Sequence, residues 1–233
     1  MAKKDPDKVA MLHISKDGKE RSFTFYDMAR YSSKVANYLQ FLGIKKGDRV
    51  MLVLKRHYQF WFAILALHKI GAVAIPATNL LLKSDFEYRF KAGNVDAILC
   101  TADGPVSREV DKACRSYKNL KVKIMVGASR KGWRSFNKEV KYFSSHFRRP
   151  HGENAIHGDD PSIMFFTSGT TSYPKITTHN FKYPLGHYVT AKYWHQVDPD
   201  GIHFAISDTG WGKALWGKIY GCLLYTSPSP RDS

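Results

Sequence analysis

Residues 162–175 read Ser-Ile-Met-Phe-Phe-Thr-Ser-Gly-Thr-Thr-Ser-Tyr-Pro-Lys, an apolar run that passes directly into small hydroxyl residues and glycine. The apolar part, residues 163–166, predicts a strand. The polar part predicts a phosphate-binding loop, because small residues leave backbone N–H groups accessible and hydroxyls donate further hydrogen bonds to phosphate oxygens. The lysine at the end supplies a positive charge. The stretch is therefore interpreted as a strand followed by a phosphate cradle.

The order of residues in this loop differs from that of a Walker A loop. A Walker A loop has Gly before its lysine, Ser or Thr after it, and then a helix, whereas Pro174 and Ile176 flank Lys175 here. The alternative is an ordinary connection rich in Ser, Thr and Gly. What favours phosphate binding is the complete order of the stretch, which is Thr167-Ser168-Gly169-Thr170-Thr171-x-x-Pro174-Lys175.

The chain before this loop alternates between strand and helix patterns. Strands are predicted over residues 22–25, 49–54, 72–75, 96–100 and 121–126. Helices are predicted over residues 26–42, 58–70, 84–91 and 106–116. Repeated strand–helix units with short Gly/Pro connections predict an α/β fold with a mainly parallel sheet flanked by helices.

Several helix boundaries can be predicted from single residues. Thr24 and Asp27 form a predicted capping box at the start of the first helix. Gly43, Gly71 and Gly93 are interpreted as the residues that stop three of the helices. Residues 127–157 are polar and basic, and they are interpreted as a long surface connection that holds a short helix within residues 136–143.

The chain is strongly basic, with 36 Lys and Arg against 20 Asp and Glu and a net charge of +16 over 233 residues. Such an excess raises the possibility of nucleic-acid binding, since basic proteins release phosphate counterions when they bind. The basic residues are dispersed in ones and twos, however, which favours a solvated surface and no nucleic-acid partner. With 43% hydrophobic residues the chain has ample material for a core.

The cysteines and the N-terminus bear on the compartment. Cys100, Cys114 and Cys222 form no CxxC pair or zinc spacing, which suits a reducing cytosol. The N-terminus lacks the apolar region of a secretory signal, and no apolar run approaches the ~20 residues of a membrane-spanning helix. A cytoplasmic location is predicted. The ten histidines show no metal-binding pair, and no metal site built from protein ligands is assigned.

The loop signature resembles that of the adenylate-forming (AMP-binding) superfamily, which includes acyl-CoA synthetases, luciferases and peptide-synthetase adenylation domains. Residues 71–78, Gly-Ala-Val-Ala-Ile-Pro-Ala-Thr, resemble an earlier segment of that family, and residues 207–211, Ser-Asp-Thr-Gly-Trp, resemble a later one. Together these segments are most similar to the medium-chain acyl-CoA synthetase branch. The resemblance implies the N-terminal part of the large domain of such a synthetase.

The resemblance implies roles for individual residues. Trp211 would form part of the acyl pocket, with a packed core tryptophan as the alternative, and Asp208 and Gly210 would fix the turn that carries it. Ser172 stands where the family usually has Gly, so the loop is expected to be strained or shaped differently. The residues implied to hold the β- and γ-phosphates of ATP are Thr167, Ser168, Gly169, Thr170, Thr171, Ser172 and Lys175.

The resemblance also implies the reaction. A carboxylic acid, medium-chain or aromatic, would react with ATP and Mg²⁺ to give an acyl-adenylate, and coenzyme A would then displace AMP. The catalytic lysine of the family is expected to lie beyond this chain, so no catalytic residue is assigned within it. Residues 1–221 are interpreted as a partial N-terminal (AMP-binding) domain without the small C-terminal domain, and residues 222–233 as a non-native tail.

Three alternatives remain open from the sequence. One is another adenylate-forming ligase, such as a peptide-synthetase adenylation domain or a luciferase-like enzyme. A second is a truncated chain without activity, and this chain by itself is predicted to form no acyl-CoA. A third is a basic nucleic-acid-binding protein.

Overall fold

The computed structural model of the chain describes residues 2–167, 173–204 and 207–223. Within these residues, a seven-stranded sheet follows a separate two-stranded hairpin. The strands are β1 (Val9–Ile14), β2 (Glu20–Thr24), β3 (Arg49–Val53), β4 (Val73–Pro76), β5 (Ala97–Thr101), β6 (Val122–Val126), β7 (Arg134–Ser135), β8 (Pro161–Thr167) and β9 (Lys175–Asn180). The helices are α1 (Phe25–Phe41), α2 (Gln59–Ile70), α3 (Lys83–Gly93), α4 (Val106–Ala113), α5 (Phe136–Glu139), α6 (Tyr183–Tyr193) and α7 (Gly212–Ala214).

Three further helical segments complete the described elements. Short 3₁₀ turns span Val140–Tyr142 and Gly152–Asn154, and a π-helix spans Leu215–Leu223. Among the described residues, no helix is both long enough and apolar enough to cross a bilayer.

The large sheet has the strand order β7-β6-β5-β3-β4-β8-β9. Neighbouring strands run parallel from β7 to β8, and only the last pair, β8 with β9, is antiparallel. The mainly parallel α/β sheet predicted from the sequence is therefore confirmed. The chain passes from β3 to its neighbour β4 and then back past β3 to β5, so β3 is the middle strand of the sheet and β4 lies beside it.

Strand β3 shows how the sheet is covered on both faces. Val50 and Leu52 point into a core formed with α1 and α2, whereas Met51 and Val53 point into a second core formed with α3 and α4. All four side chains are fully buried. A strand that is apolar at every position is typical of a parallel sheet with helices on both faces, because neither side of such a strand meets water.

The start of α1 follows the predicted capping box. The Asp27 N–H donates to Thr24 Oγ1 at 3.1 Å, and the Thr24 N–H donates to Asp27 Oδ2 at 3.2 Å. These two bonds satisfy backbone donors that the first helical turn leaves without partners. The C-terminal end of α2 also agrees with the prediction, because Gly71 has φ 82° and ends that helix.

The prediction that Gly93 stops α3 is wrong by one residue. Gly93 is the last residue of the helix, and Asn94 takes the left-handed conformation at φ 44°. Asparagine tolerates this conformation better than most residues, since its short polar side chain bonds locally. A β-carbon at Gly93 would lie 3.5 Å from both Ile75 Cδ1 and Phe166 Cζ, which is ordinary van der Waals contact, so the packing of α3 on the sheet does not require glycine there.

The segment predicted as a long surface connection, residues 127–157, is only partly irregular. Strand β7 within it pairs with β6 and extends the sheet by one strand. Two residues are too few to produce an alternating pattern, which explains why the sequence did not reveal β7. The predicted short helix is present, but it changes from α-helix to 3₁₀ geometry after Glu139. Helix α4 ends at Ala113, three residues short of its predicted end.

A polar contact joins α2 to the π-helix. His68 Nε2 lies 2.8 Å from the Tyr220 hydroxyl, and the two rings are stacked with centroids 5.8 Å apart. His68 Nδ1 is enclosed and has no hydrogen-bond partner among the described residues. Burial lowers the pKa of His68 to about 4, so the ring is neutral at physiological pH.

Candidate functional site

The carboxyl ends of the parallel strands form the edge at which α/β sheets bind ligands. In the order β5-β3-β4-β8, these ends are Thr101, Val53, Pro76 and Thr167. Three segments singled out in the sequence continue from this edge or rest on it: the phosphate loop, the Pro-Ala-Thr turn and residues 207–211. The candidate site is therefore described along this edge, beginning at β8.

The phosphate loop connects two antiparallel strands. Thr167 ends β8 and is paired in register with Lys175, the first residue of β9, and Thr167 Oγ1 donates to the Lys175 carbonyl at 3.4 Å. Both side chains are exposed. The hairpin therefore holds the two ends of the loop side by side at the carboxyl edge. Ser168, Gly169, Thr170, Thr171 and Ser172, five residues predicted to bind phosphate, lie outside the described residues.

Helix α3 contacts both ends of the hairpin. The Tyr88 hydroxyl donates to the Pro174 carbonyl at 2.8 Å, and the Tyr88 ring stacks on Tyr173 with centroids 4.8 Å apart. On the other strand, the Arg89 guanidinium lies over the Phe166 ring, 4.7 Å from its centroid. Burial lowers the pKa of Arg89. These contacts fix the ends of the loop against a helix, although neither Tyr88 nor Arg89 belongs to a recognisable motif.

The turn at residues 207–211 has the internal hydrogen bonds of a fixed structure. The Gly210 N–H donates to Asp208 Oδ1 at 2.8 Å, and the Trp211 N–H donates to the Asp208 carbonyl at 3.1 Å. Asp208 thus orders the turn through both its side chain and its backbone, as Asp commonly does in turns.

This turn rests on the ends of the two central strands. Thr209 is 4% exposed, and its hydroxyl donates to the carbonyl of Lys55, just after β3. A β-carbon at Gly210 would lie 2.5 Å from the Thr78 nitrogen and 2.7 Å from the Ala77 carbonyl carbon, so only glycine fits against the chain after β4. Trp211 is 66% exposed, which rules out the alternative of a packed core tryptophan. Its predicted role in an acyl pocket stays a prediction.

A histidine at the same edge was not predicted as a site residue. His57 follows β3, and its Nε2 lies 2.7 Å from Thr101 Oγ1 and 3.4 Å from Asp103 Oδ2, beyond the end of β5. Burial lowers the pKa of His57, and the Asp103 carboxylate opposes that shift. The only signal in the sequence was that each residue closely follows a predicted strand, and the strand order of the sheet is what brings the two together.

Taken along the edge, the described residues provide three kinds of chemistry. Lys175 supplies a cation beside the loop, the 207–211 turn presents an aromatic surface, and His57 with Asp103 supplies a titratable pair. No three His, Cys, Asp or Glu side chains among the described residues come together as a metal site.

The sequence profile of the AMP-binding enzyme family matches residues 1–226. The chain belongs to this family. The recognition made from the loop signature is confirmed, and so is the matching part of the fold. Residues 222–223 fall within the π-helix, whereas the interpretation of residues 222–233 as a non-native tail stays a prediction.

Curated relatives of this family member are acyl-CoA synthetases. The human protein "Acyl-coenzyme A synthetase ACSM3, mitochondrial" is 32% identical over 239 residues, covering 99% of this chain and 40% of the relative. The human protein "Acyl-coenzyme A synthetase ACSM5, mitochondrial" is 32% identical over 233 residues, covering 97% of this chain and 39% of the relative. The chain thus spans about 40% of the length of the relatives that it matches.

Solved structures agree with this assignment. The crystal structure of an acyl-CoA synthetase from Brucella canis superposes with a TM-score of 0.82 at 25% identity, covering 96% of this chain and 40% of that chain. The anthranilate CoA ligase AuaEII, crystallised with anthranoyl-AMP, superposes with a TM-score of 0.66 at 23% identity over 75% of this chain and 32% of that chain. The second likeness concerns the fold alone.

Proposed function

We propose that this AMP-binding family member provides the phosphate-binding and acyl-facing part of an acid–thiol ligase, an AMP-forming acyl-CoA synthetase. The main support for this proposal is that two segments lie at one edge of the sheet. These are the hairpin of the phosphate loop and the turn at residues 207–211, which rests on the ends of β3 and β4. The acyl-CoA synthetase relatives support the same activity.

In the proposed first step, a carboxylate oxygen of the acid attacks the α-phosphorus of ATP while the bond to pyrophosphate breaks. The products are an acyl-adenylate and pyrophosphate. The loop between Thr167 and Lys175 holds the β- and γ-phosphates, so it stabilises the charge that collects on the leaving group. Lys175 contributes through its ammonium group, which is exposed at the base of the loop.

In the proposed second step, the thiol of coenzyme A attacks the acyl carbon and AMP leaves. Mg²⁺, which neutralises the phosphate charge, would be held chiefly by the phosphates of ATP, because the described residues offer no cluster of metal ligands. Trp211 is proposed to face the acyl group, since its exposed ring is fixed at the same edge by Asp208 and Gly210.

The first experiment measures nucleotide binding, because the phosphate loop lies within this chain while turnover draws on the whole length of a synthetase. Equilibrium dialysis would compare MgATP binding by the unaltered chain, by Lys175→Met and by Lys131→Met. Lys131 is an exposed lysine outside the site and provides the matched control. We expect Lys175→Met to weaken binding by about tenfold, the effect of losing one charge-assisted hydrogen bond. Equal binding by all three proteins would contradict the proposal.

A second experiment tests the acid and the acceptor. Because turnover draws on the whole length of a synthetase, this experiment uses a protein in which the chain is extended to the length of its relatives. That protein is incubated with ATP, Mg²⁺ and coenzyme A together with acetate, octanoate or benzoate, and acyl-AMP and acyl-CoA are identified by mass spectrometry. We propose a medium-chain or aromatic acid as the substrate. The three acids differ greatly in size, because two acids that differ by one methylene would differ in binding free energy by only about 1–3 kcal/mol. Acyl-AMP without acyl-CoA would indicate a different acceptor.

The compartment is also open to a direct test. The prediction of a cytoplasmic protein stays a prediction, and the names of the human relatives place those proteins in mitochondria. Fractionation of source cells with an antibody against this chain distinguishes the two compartments.

A further inference from the structure

A cavity of about 670 Å³ lies between the β1–β2 hairpin, α1, α2 and the segment around α5. It shares no lining residue with the phosphate hairpin or with the 207–211 turn. Its lining combines several cations with a group of aromatic rings. It was not apparent from the sequence, because its residues come from four separate segments.

The positive charge of the cavity is not balanced locally. Arg21, Arg30, Lys34 and Lys141 line it, and none of its described lining residues is Asp or Glu. Arg30 forms an ion pair with Asp27 at 3.2 Å, while the other three cations have no carboxylate within 4.0 Å among the described residues. Lys34 instead donates to the carbonyl of Lys141 at 3.1 Å. Cations held together by the fold in this way favour an anionic ligand.

The aromatic side chains form one wall of the cavity. Tyr31 and Phe62 are stacked with centroids 5.0 Å apart, and Tyr58 packs against Phe23 at 5.1 Å. The Arg21 guanidinium lies 5.3 Å from the Tyr58 centroid and donates to its hydroxyl at 3.1 Å. A flat aromatic ligand can stack on such a wall, and stacking of a base on an aromatic side chain is a common mode of nucleotide binding.

Two buried polar atoms of lining residues, Arg30 Nε and Gln59 Oε1, lack a hydrogen-bond partner among the described residues. Gln59 is 5% exposed, and its Oε1 accepts no hydrogen bond from any described residue. A buried acceptor without a donor is destabilising, so such groups in native proteins commonly mark a site for a ligand or a water molecule. Gln59 Oε1 is closed to solvent in this structure, so a donor such as an exocyclic amine on a ligand would reach it once the Gln59 side chain turns toward the cavity.

We propose that this cavity binds a phosphorylated aromatic molecule of the nucleotide class, one whose base carries an exocyclic amine. The phosphates meet Arg21, Lys34 and Lys141, the base packs on the aromatic wall, and the amine donates to Gln59 Oε1. This site is separate from the one proposed for the acid–thiol ligase reaction, and it does not depend on that reaction.

Photolabelling with 8-azido-ADP locates the site, because tryptic peptides report where the probe binds. We expect label on peptides from residues 21–35, 58–62 or 136–141, protection by ADP, and weaker protection by adenosine or by pyrophosphate alone. The label should persist in Lys175→Met, which alters only the phosphate hairpin. Label confined to residues 173–180 would overturn the proposal while supporting the phosphate loop. Stronger protection by a single-stranded RNA than by ADP would also overturn the small-molecule assignment.

Four variants test the named contacts, each made in the Lys175→Met background so that ADP binding at the phosphate loop contributes least. Lys34→Met should weaken ADP binding by about three- to tenfold, Lys34→Arg should restore it, and Lys138→Met, an exposed lysine outside the lining, should leave it unchanged. Gln59→Leu should weaken ADP binding but not pyrophosphate binding. Its melting temperature should not fall, since the substitution removes an unpaired buried polar group. Unchanged ADP binding by folded Lys34→Met and Gln59→Leu would refute the proposal.

Discussion

Replacing Gly210 with alanine places a methyl group where the chain after β4 already lies. The new β-carbon would be 2.5 Å from the Thr78 nitrogen and 2.7 Å from the Ala77 carbonyl carbon, both backbone atoms that cannot move aside by changing rotamer. Overpacking of this kind costs about 1–3 kcal/mol. Gly210 does not have a left-handed φ, so the cost comes from the contact and not from the conformation of the alanine itself.

The free energy of unfolding of Gly210→Ala is best compared with that of Gly186→Ala. Gly186 lies within α6, its φ is not left-handed, and an added β-carbon there meets no atom within 4 Å. Alanine at that position should stabilise the protein by about 0.5–1 kcal/mol, since glycine loses more conformational freedom in a helix. The two substitutions add the same methyl group, and we expect opposite signs in urea denaturation.

Hydrogen exchange shows whether the loss is local. If the turn separates from the sheet, exchange should increase in peptides that contain Ala77 and Thr78 and in those that contain Lys55, whose carbonyl accepts from Thr209. Equal stability of Gly210→Ala and the unaltered chain, with unchanged exchange at these peptides, would refute the close contact and with it the position of Trp211.

Three further predictions concern stability and the phosphate hairpin. In the unfolded chain His68 takes up a proton below about pH 6.5, whereas in the folded chain its pKa is about 4. The free energy of unfolding should therefore fall by up to about 3 kcal/mol as the pH drops from 6.5 to 4. The fall should be smaller in His68→Gln, which has no titrating group at this position. Thr24→Ala should cost about 1 kcal/mol in thermal unfolding and Thr24→Ser little, because only alanine removes the oxygen that accepts from Asp27. Tyr88→Phe should raise hydrogen exchange around Pro174, because it removes the hydroxyl that donates to the Pro174 carbonyl. The global melting temperature should not fall, because the change is confined to one exposed hairpin.

The central part of the fold could be predicted because its strands are buried on both faces. Residues 49–53 and 97–101 are apolar almost throughout, and short Gly-containing connections separate them from amphipathic helices. Strand β9 could not be predicted in the same way. Its sequence, Lys-Ile-Thr-Thr-His-Asn, is mostly polar, because it lies at the edge of the sheet and is partly exposed.

The candidate site was accessible from the sequence only where a local motif carries the chemistry. Residues 167–175 and 207–211 are each contiguous, so their composition was informative. His57 and Asp103 come from different strand ends and meet only because β3 and β5 are neighbours. The cavity around Gln59 likewise depends on how α1, α2 and α5 pack. Contacts between distant segments follow from topology, which no local pattern records.

The passage of the phosphate loop into strand β9 has an electrostatic consequence. A phosphate loop that opens into a helix receives the equivalent of about half an elementary charge from the helix macrodipole, whereas the dipoles of neighbouring strands largely cancel. Here the chain continues as β9 from Lys175 onward, so the side-chain ammonium carries a larger share of the attraction for phosphate. An exposed ammonium is screened by mobile ions far more than a buried dipole is. The affinity of this family member for nucleotide should therefore depend on ionic strength and should weaken steeply between low and physiological salt.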